Sequence, residues 1–351
     1  MRLIQLIEKN QKLGFFGLAK NTGKTVALNA CLAELAQTAE TVGITSIGYD
    51  GEAVDSINSQ IRKPKIFLRE GTLVATTSQL LNRSQISYKE LLNTGFRTAL
   101  GTVVVARLTG CGALEIAGPS TAGDINSLCD FMISQGATKI LIDGAINRKA
   151  AASPLITDGV IISTGAVLAP DLDAVVSETG ILIDNFRLKP LEEKRIESLF
   201  HSVKKHAVIL EDGSVSTLPH AILTSDSIDL LRAHIPKNTQ TILVKGALTE
   251  PFVNHLLKLR EGKKIILVIR DAACLFLTRR SFSWYEKKGV SIRVIRQIDI
   301  RAVTVNPVSP ASHEFDSIHF REKISRILPG TPVFNVLENQ NHLPDANNLS
   351  A

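Results

Sequence analysis

An α/β protein with a mainly parallel sheet is the fold this sequence predicts, and three observations predict it. Apolar runs of strand length alternate with helical segments from one end of the chain to the other. A glycine-rich stretch, "GLAKNTGKT", closes the first of those runs and opens a helix. The hydrophobic strands "TSIGYD" and "KILID" each finish on an acid, at the edge where open α/β sheets hold their ligands. A chain of 351 residues is also too long for one ordinary core, so two domains are expected.

The elements follow in order. "LGFFGLA" is a first strand, Gly23 to Gln37 an amphipathic helix, and "VGITSIGYD" a second strand. "KIFLREGTLVATT" reads as a hairpin or short strand pair with Gly71 at its bend, and "GTVVVARLTGCGALEIAGP" as two β-rich runs separated by "TGCG". "STAGDINSLCDFMISQG" is a helix leading into the strand "ATKILIDGA". "DGVIISTG" is a further strand, and "AVLAPDLDAVVSETGILIDNF" behind it is helical. The charged, proline-started stretch "RLKPLEEKRIESLFHSVKKH" marks a boundary. The expected division is a P-loop nucleotide-binding domain over 1–188, a second, smaller α/β domain over 189–335, and a frayed tail over 336–351. Helices on both faces of the first sheet complete a P-loop NTPase-like architecture.

Composition narrows the class. A hydrophobic fraction of 44% with 21% charged residues describes a soluble globular protein. Charges interrupt the apolar residues of "MRLIQLIEKNQKLG", and no run approaches the ~20 residues that span a bilayer, so a cytoplasmic chain without a membrane partner is expected. Cys31, Cys111, Cys129 and Cys274 form no C-x-x-C pair, which argues against a zinc ribbon, a redox motif and a disulfide framework. None has the flanking glycines of an amidotransferase elbow. The net charge of +6 gathers in "LKLREGKKIILVIRD" and "LTRRSFSWYEKKGVSIRVIRQ", where basic residues flank apolar runs as solvated helix ends do; nucleic acid is therefore a disfavoured partner.

The chemistry centres on Gly17-Leu-Ala-Lys-Asn-Thr-Gly-Lys-Thr25, with five residues between Gly17 and Gly23 where the usual P-loop has four. Strand, loop and helix are in the context that turns several backbone N–H groups toward one anion. Gly17, Lys20, Asn21, Thr22, Gly23, Lys24, Thr25 and Val26 are the expected ATP-binding residues. Lys24 would lie against the β- and γ-phosphates, and the Thr25 hydroxyl would hold Mg²⁺. The bland alternative is a helix whose first turn happens to contain Gly-Lys-Thr. Carboxylates must complete the metal site: Asp50, beside Glu52 in "YDGE", and Asp143, in a strand ending like a Walker B element, are the candidates, with Glu115 a weaker one. Either acid could instead cap a helix or form a turn. Lys24 and Asp143 are the residues expected to take part in catalysis.

Other stretches offer less. Ser120 and Thr121 in "GPSTAGD" could meet a phosphate or cap a helix. Asn147, Arg148 and Lys149 follow the Asp143 strand and could contact phosphate or lie in an exposed connection. "ISTGAVLAP" could supply a base or a partner contact, or only a tight turn at Gly165. "KGALTEP" has the look of an anion pocket, but Thr249 as N-cap with Glu250 and Pro251 in the first turn explains it. The histidines, His313 and His319 among them, lack metal-ligand spacing.

Over the loop, the chain resembles dethiobiotin synthetase and the cobyrinic acid amide synthetases, which share Gly, five residues, then Gly-Lys-Thr/Ser. That branch often works as dimers with the nucleotide near the subunit contact. Lys20 stands four residues before Lys24, where the related deviant loops place their second lysine five before, so its role stays open. "GLAKNTGKTVALN", "TSIGYDGE", "EIAGPST", "LIDGAINRKAAASP", "DGVIISTGAVL" and "VTVNPVSP", taken in order, resemble the smaller subunit of the reactivating factor for adenosylcobalamin-dependent lysine 5,6-aminomutase. What that resemblance implies is an ATPase acting with a larger ATPase subunit to expel damaged cobalamin from an aminomutase, a chaperone-like role in lysine degradation. Two other readings stand beside it. One is a synthetase in which ATP activates a small carboxylate, with Lys20, Arg148 and Lys149 around the acid. The other is a nucleic-acid-associated ATPase.

Overall fold

The computed structural model describes residues 2–48, 65–144, 149–223, 228–278, 280–311 and 313–335. The chain forms two compact units: Met1–Thr179 together with Asp299–Ala351, and Gly180–Ile298.

The first unit is built on a nine-stranded sheet. In chain order its strands are β1 (Lys12–Gly17), β2 (Val42–Ile47), β3 (Leu73–Thr77), β4 (Tyr88–Thr98), β5 (Gly101–Leu108), β6 (Lys139–Gly144), β7 (Gly159–Gly165), β8 (Ile300–Asn306) and β9 (Val333–Asn335). Across the sheet the order is β9-β8-β7-β1-β6-β2-β3-β5-β4. The strands from β9 to β3 pair in parallel, while β5 runs antiparallel to both β3 and β4. The chain leaves β1 toward β2 and β3, fills the gap with β6, and then crosses to β7, β8 and β9 on the other side. The carboxyl end of β1 is thus where the direction of winding reverses, the place at which a crevice opens in sheets of this kind.

Side-chain alternation explains why both faces are covered. Leu141, Val104 and Ala106 join one apolar cluster with Ala27, Leu28, Cys31 and Leu35 of helix α1 (Lys24–Leu35). Ile140, Ile142, Val103 and Val105 join another with Ile125, Leu128, Cys129 and Met132 of helix α2 (Ala122–Ser134). Strands buried on both faces read as continuous apolar runs, which is why "KILI" and "VII" announce themselves in the sequence. Each fully buried Leu or Ile contributes about 1.5–3 kcal/mol. Lys139 opens β6 only 7% exposed. Its buried amine is not left without partners: it donates to the carbonyls of Ile7, Glu8 and Asn10 at 3.2, 2.6 and 2.8 Å.

The second unit is entered within the helix Leu172–Phe186. Its five-stranded sheet runs in the order Val215–Thr217, Ala207–Leu210, Thr239–Leu243, Ile265–Ile269, Val290–Val294, the last three parallel. Here the expected division is corrected. Residues 299–335 do not belong with the second domain, because β8 pairs with β7 and β9 with β8 in the first sheet. "IRAVTVN" has the β pattern of its neighbour Val290–Val294, and pattern alone does not say which sheet a strand joins. The chain also leaves the first unit at Thr179, short of the expected 188. Residues 336–351, expected as a tail, lie outside the described residues. A second correction concerns "KIFLREGTLVATT": its two strands do not pair with each other, since Ile66–Leu68 pairs with Gly112–Leu114 and β3 enters the main sheet.

Candidate functional site

The loop after β1 is shaped by steric need. A Cβ on Gly17 would lie 2.7 Å from Thr22 Oγ1, so only glycine lets the chain fold back there. Thr22 is 1% exposed, and its hydroxyl donates to the Ala19 carbonyl at 3.0 Å, bracing the turn from inside. Asn21 (φ 61°) and Gly23 (φ 87°) are both left-handed, on either side of Thr22. Left-handed residues in a loop of this kind turn successive amides into a concave donor surface. Gly23 is the N-cap of α1, and the Leu18 amide donates to Ser163 O at 3.0 Å, tying the start of the loop to β7. With five residues between Gly17 and Gly23, the loop bends at Asn21 and Gly23, and Lys24 opens the helix.

Register then brings the acid to the lysine. Asp143 on β6 lies beside Phe15 of β1 and Ser46 of β2. Lys24 Nζ is 2.7 Å from Asp143 Oδ1 and also donates to the Gly144 carbonyl. Both side chains are largely buried, and Asp143 Oδ1 receives no hydrogen bond of ordinary geometry from the described residues; the ammonium is its counter-charge. Thr25, half-buried, stands in the first turn of α1. This donor set suits a magnesium–polyphosphate complex. Mg²⁺ asks for one or two carboxylates with waters and phosphate oxygens filling the rest, and Asp143 with the Thr25 hydroxyl supplies that much.

Asn306 is the residue that sequence reasoning passed over. It ends β8, its Nδ2 donates to the Asn21 carbonyl at 2.8 Å, and a Cβ on Gly23 would lie 3.2 Å from its own Cβ. The loop is therefore held from three strands: its own β1, β7 through Ser163, and β8 through Asn306. The only trace in the sequence was an Asn-Pro at a strand end.

The remaining candidates separate. Asp50, Glu52, Asn147 and Arg148 lie outside the described residues. Glu115 is exposed and makes no ion pair among the described residues, and no group of three or more His, Cys, Asp or Glu able to hold a metal is found among them. Lys20 sits half-buried in the loop. Thr121 is the N-cap of α2, accepting from the Asp124 amide at 3.1 Å, and Ser120 is exposed. Lys149 opens a short 3₁₀ turn, where burial lowers its ammonium from 10.5 to about 8. His313 Nε2 lies 2.8 Å from the Ala166 carbonyl, and the His319 amide donates to Asp316.

In the second unit the "KGALTEP" stretch is committed to structure. Lys245 Nζ donates to Phe200 O at 2.6 Å and stands 4.2 Å from the centre of that ring. Burial, and next the Arg270 charge, lowers its ammonium. Thr249 is the N-cap by position, yet its hydroxyl donates to the Leu223 carbonyl at 3.2 Å instead of capping. Glu250 is 7% exposed and accepts from Thr278 Oγ1 at 2.7 Å and Tyr285 OH at 3.1 Å. Burial, with Glu250 beside it, pushes the Tyr285 phenol up.

Comparisons with protein-family models, curated proteins and solved structures find no match to this chain. No helix among the described residues is long and apolar enough to cross a membrane.

Proposed function

We propose that this chain binds ATP with Mg²⁺ on the Gly17–Val26 loop and serves as the nucleotide-binding subunit of a reactivating factor, one that promotes exchange of damaged cobalamin from a lysine 5,6-aminomutase-type enzyme. The observation that supports the nucleotide half is the meeting of Lys24 with Asp143, 2.7 Å apart, at the mouth of a left-handed loop on the reversal point of the sheet. Backbone amides from Asn21 onward would take the phosphate oxygens, and Lys24 would neutralise them. Thr25 and Asp143 would hold Mg²⁺, which when bound would neutralise the charge on the phosphate oxygens. Asn306 fixes the loop against β8 so that the amides converge before the ligand arrives. Hydrolysis on such a frame rests on positioning and charge, with no covalent protein intermediate.

The ordered set of stretches from "GLAKNTGKTVALN" to "VTVNPVSP" supports the reactivase half. A tightly held dead cofactor leaves only if some other binding free energy opens its pocket, and nucleotide binding is a source of it. The larger ATPase subunit and the aminomutase would be the partners. The second unit holds twenty Lys and Arg against twelve Asp and Glu, a surplus of eight positive charges that would suit an acidic partner face.

The test mixes the purified chain with an aminomutase carrying inactivated cobalamin, with and without ATP and the co-purifying ATPase, and follows corrinoid release. ATP-dependent release that is lost in Lys24→Ala is expected. Release indifferent to Lys24 removes the proposed engine. ADP formed stoichiometrically with a new product from a small carboxylate would instead mark a synthetase.

A further inference from the structure

The Lys24–Asp143 pair also constrains what the site can accept. The two side chains are 16% and 17% exposed, and the ammonium is held by the Gly144 carbonyl as well as by the carboxylate. Removing one member of a buried ion pair leaves an uncompensated charge, which is far costlier than losing an exposed pair. A polyphosphate arriving without a divalent ion would draw Lys24 away and set Asp143 bare against like charge. A divalent ion arriving alone would take Asp143 and set Lys24 bare against a dication. Only the two together let both groups change partners without a stranded charge: ammonium to phosphate, carboxylate to metal.

We infer that Asp143 is a ligand-selecting residue, pairing with Lys24 so that the site takes the metal–nucleotide complex and rejects free nucleotide and free divalent ion. This rests on the nucleotide reading above. It assigns the pair a function in the unliganded protein, separate from any part in hydrolysis.

Titration calorimetry of the full chain with ADP, in excess magnesium and in chelator, tests one half. In Asp143→Asn the metal-free affinity should rise about 5- to 100-fold over wild type, the span of ordinary coupling between two ligands, and the magnesium dependence should shrink. The other half is reciprocal and uses a different variant. Lys24→Ala frees Asp143, so Mn²⁺ alone, followed by electron paramagnetic resonance, should bind at least about fivefold more tightly than to wild type. The two arms are independent, so a folding defect in one variant, seen in its thermal melt, leaves the other decisive. Wild-type binding that depends on magnesium, with both variants unchanged toward metal-free ADP and Mn²⁺, overturns the role of Asp143 and spares the nucleotide reading. No ADP uptake by wild type with or without magnesium ends both.

Discussion

Gly165→Ala should weaken nucleotide binding although Gly165 touches no expected ligand. Its φ of −171° is extended backbone that alanine adopts freely, so the whole effect comes from contact. The added Cβ would lie 2.9 Å from Asn306 O, 3.1 Å from Asn306 Cβ and 3.3 Å from Thr22 Cα. Two of these are backbone atoms, which cannot swing aside as a side chain does. Asn306 is paired with Gly165 in the parallel register of β7 and β8, so the strand end resists. The freer partner is the loop at Thr22, held to Asn306 by the 2.8 Å bond to the Asn21 carbonyl. Overpacking of this degree costs about 1–3 kcal/mol. If the loop bears it in the bound geometry, affinity for magnesium–ADP falls about 5- to 150-fold. Calorimetry measures that loss, and a thermal melt shows how much is global. Gly123→Ala is the control. Among the described residues nothing beyond its chain neighbours and its own helix backbone lies within 4 Å of its added Cβ, and it stands in the first turn of α2, so it should bind as wild type and melt no lower. Wild-type affinity and melting in Gly165→Ala would refute the claim that β7 and β8 clamp the loop.

Two further outcomes are expected. Ellman's reagent should find one fast thiol in the native chain, the exposed Cys111, with Cys274 slower and Cys31 and Cys129 silent until denaturation; burial pushes both silent thiols up, Cys129 to about 12. Fast labelling of Cys31 or Cys129 would contradict the packing of α1 or α2. Burial lowers Lys149 from 10.5 to about 8, so the folded chain holds fewer protons than the unfolded one between those values. The resulting penalty, on the order of 3 kcal/mol, is full below about pH 8 and lifts as pH rises toward 10.5. Urea melts across that range should show stability rising in wild type and flatter in Lys149→Met; equal slopes would remove the assignment.

How legible these features were depended on what signals them. β1, α1, β6 and β7 could be read because strands buried on both faces and a helix opened by Gly-Lys-Thr leave dense local patterns. β4 could not, since an edge strand with exposed Lys89 and Glu90 and two register shifts carries no apolar run. The loop lysine and Asp143 were both visible as residues. Their contact was not, because it depends on β6 being inserted between β1 and β2, a choice of sheet order that periodicity does not encode. Gly165 shows the same limit from the other direction: a tight turn and a close approach by Asn306 demand the same residue, and only three-dimensional contact tells them apart.

Asn306 explains why the expected domain boundary and the missed site residue were one error. Cutting the chain at 188 keeps the loop, Lys24 and Asp143, and discards the strand that clamps them. The second unit is inserted between β7 and β8, so the first sheet is complete only after the chain has passed through Gly180–Ile298 and returned at Asp299. Its two strands beyond the insertion are not peripheral: β8 lies against β7 along a register from Ile300 to Asn306 and carries the side chain that holds Asn21. The loop before Lys24 is thus held by a strand that follows the inserted residues in sequence, a tie that no local pattern around the loop could announce.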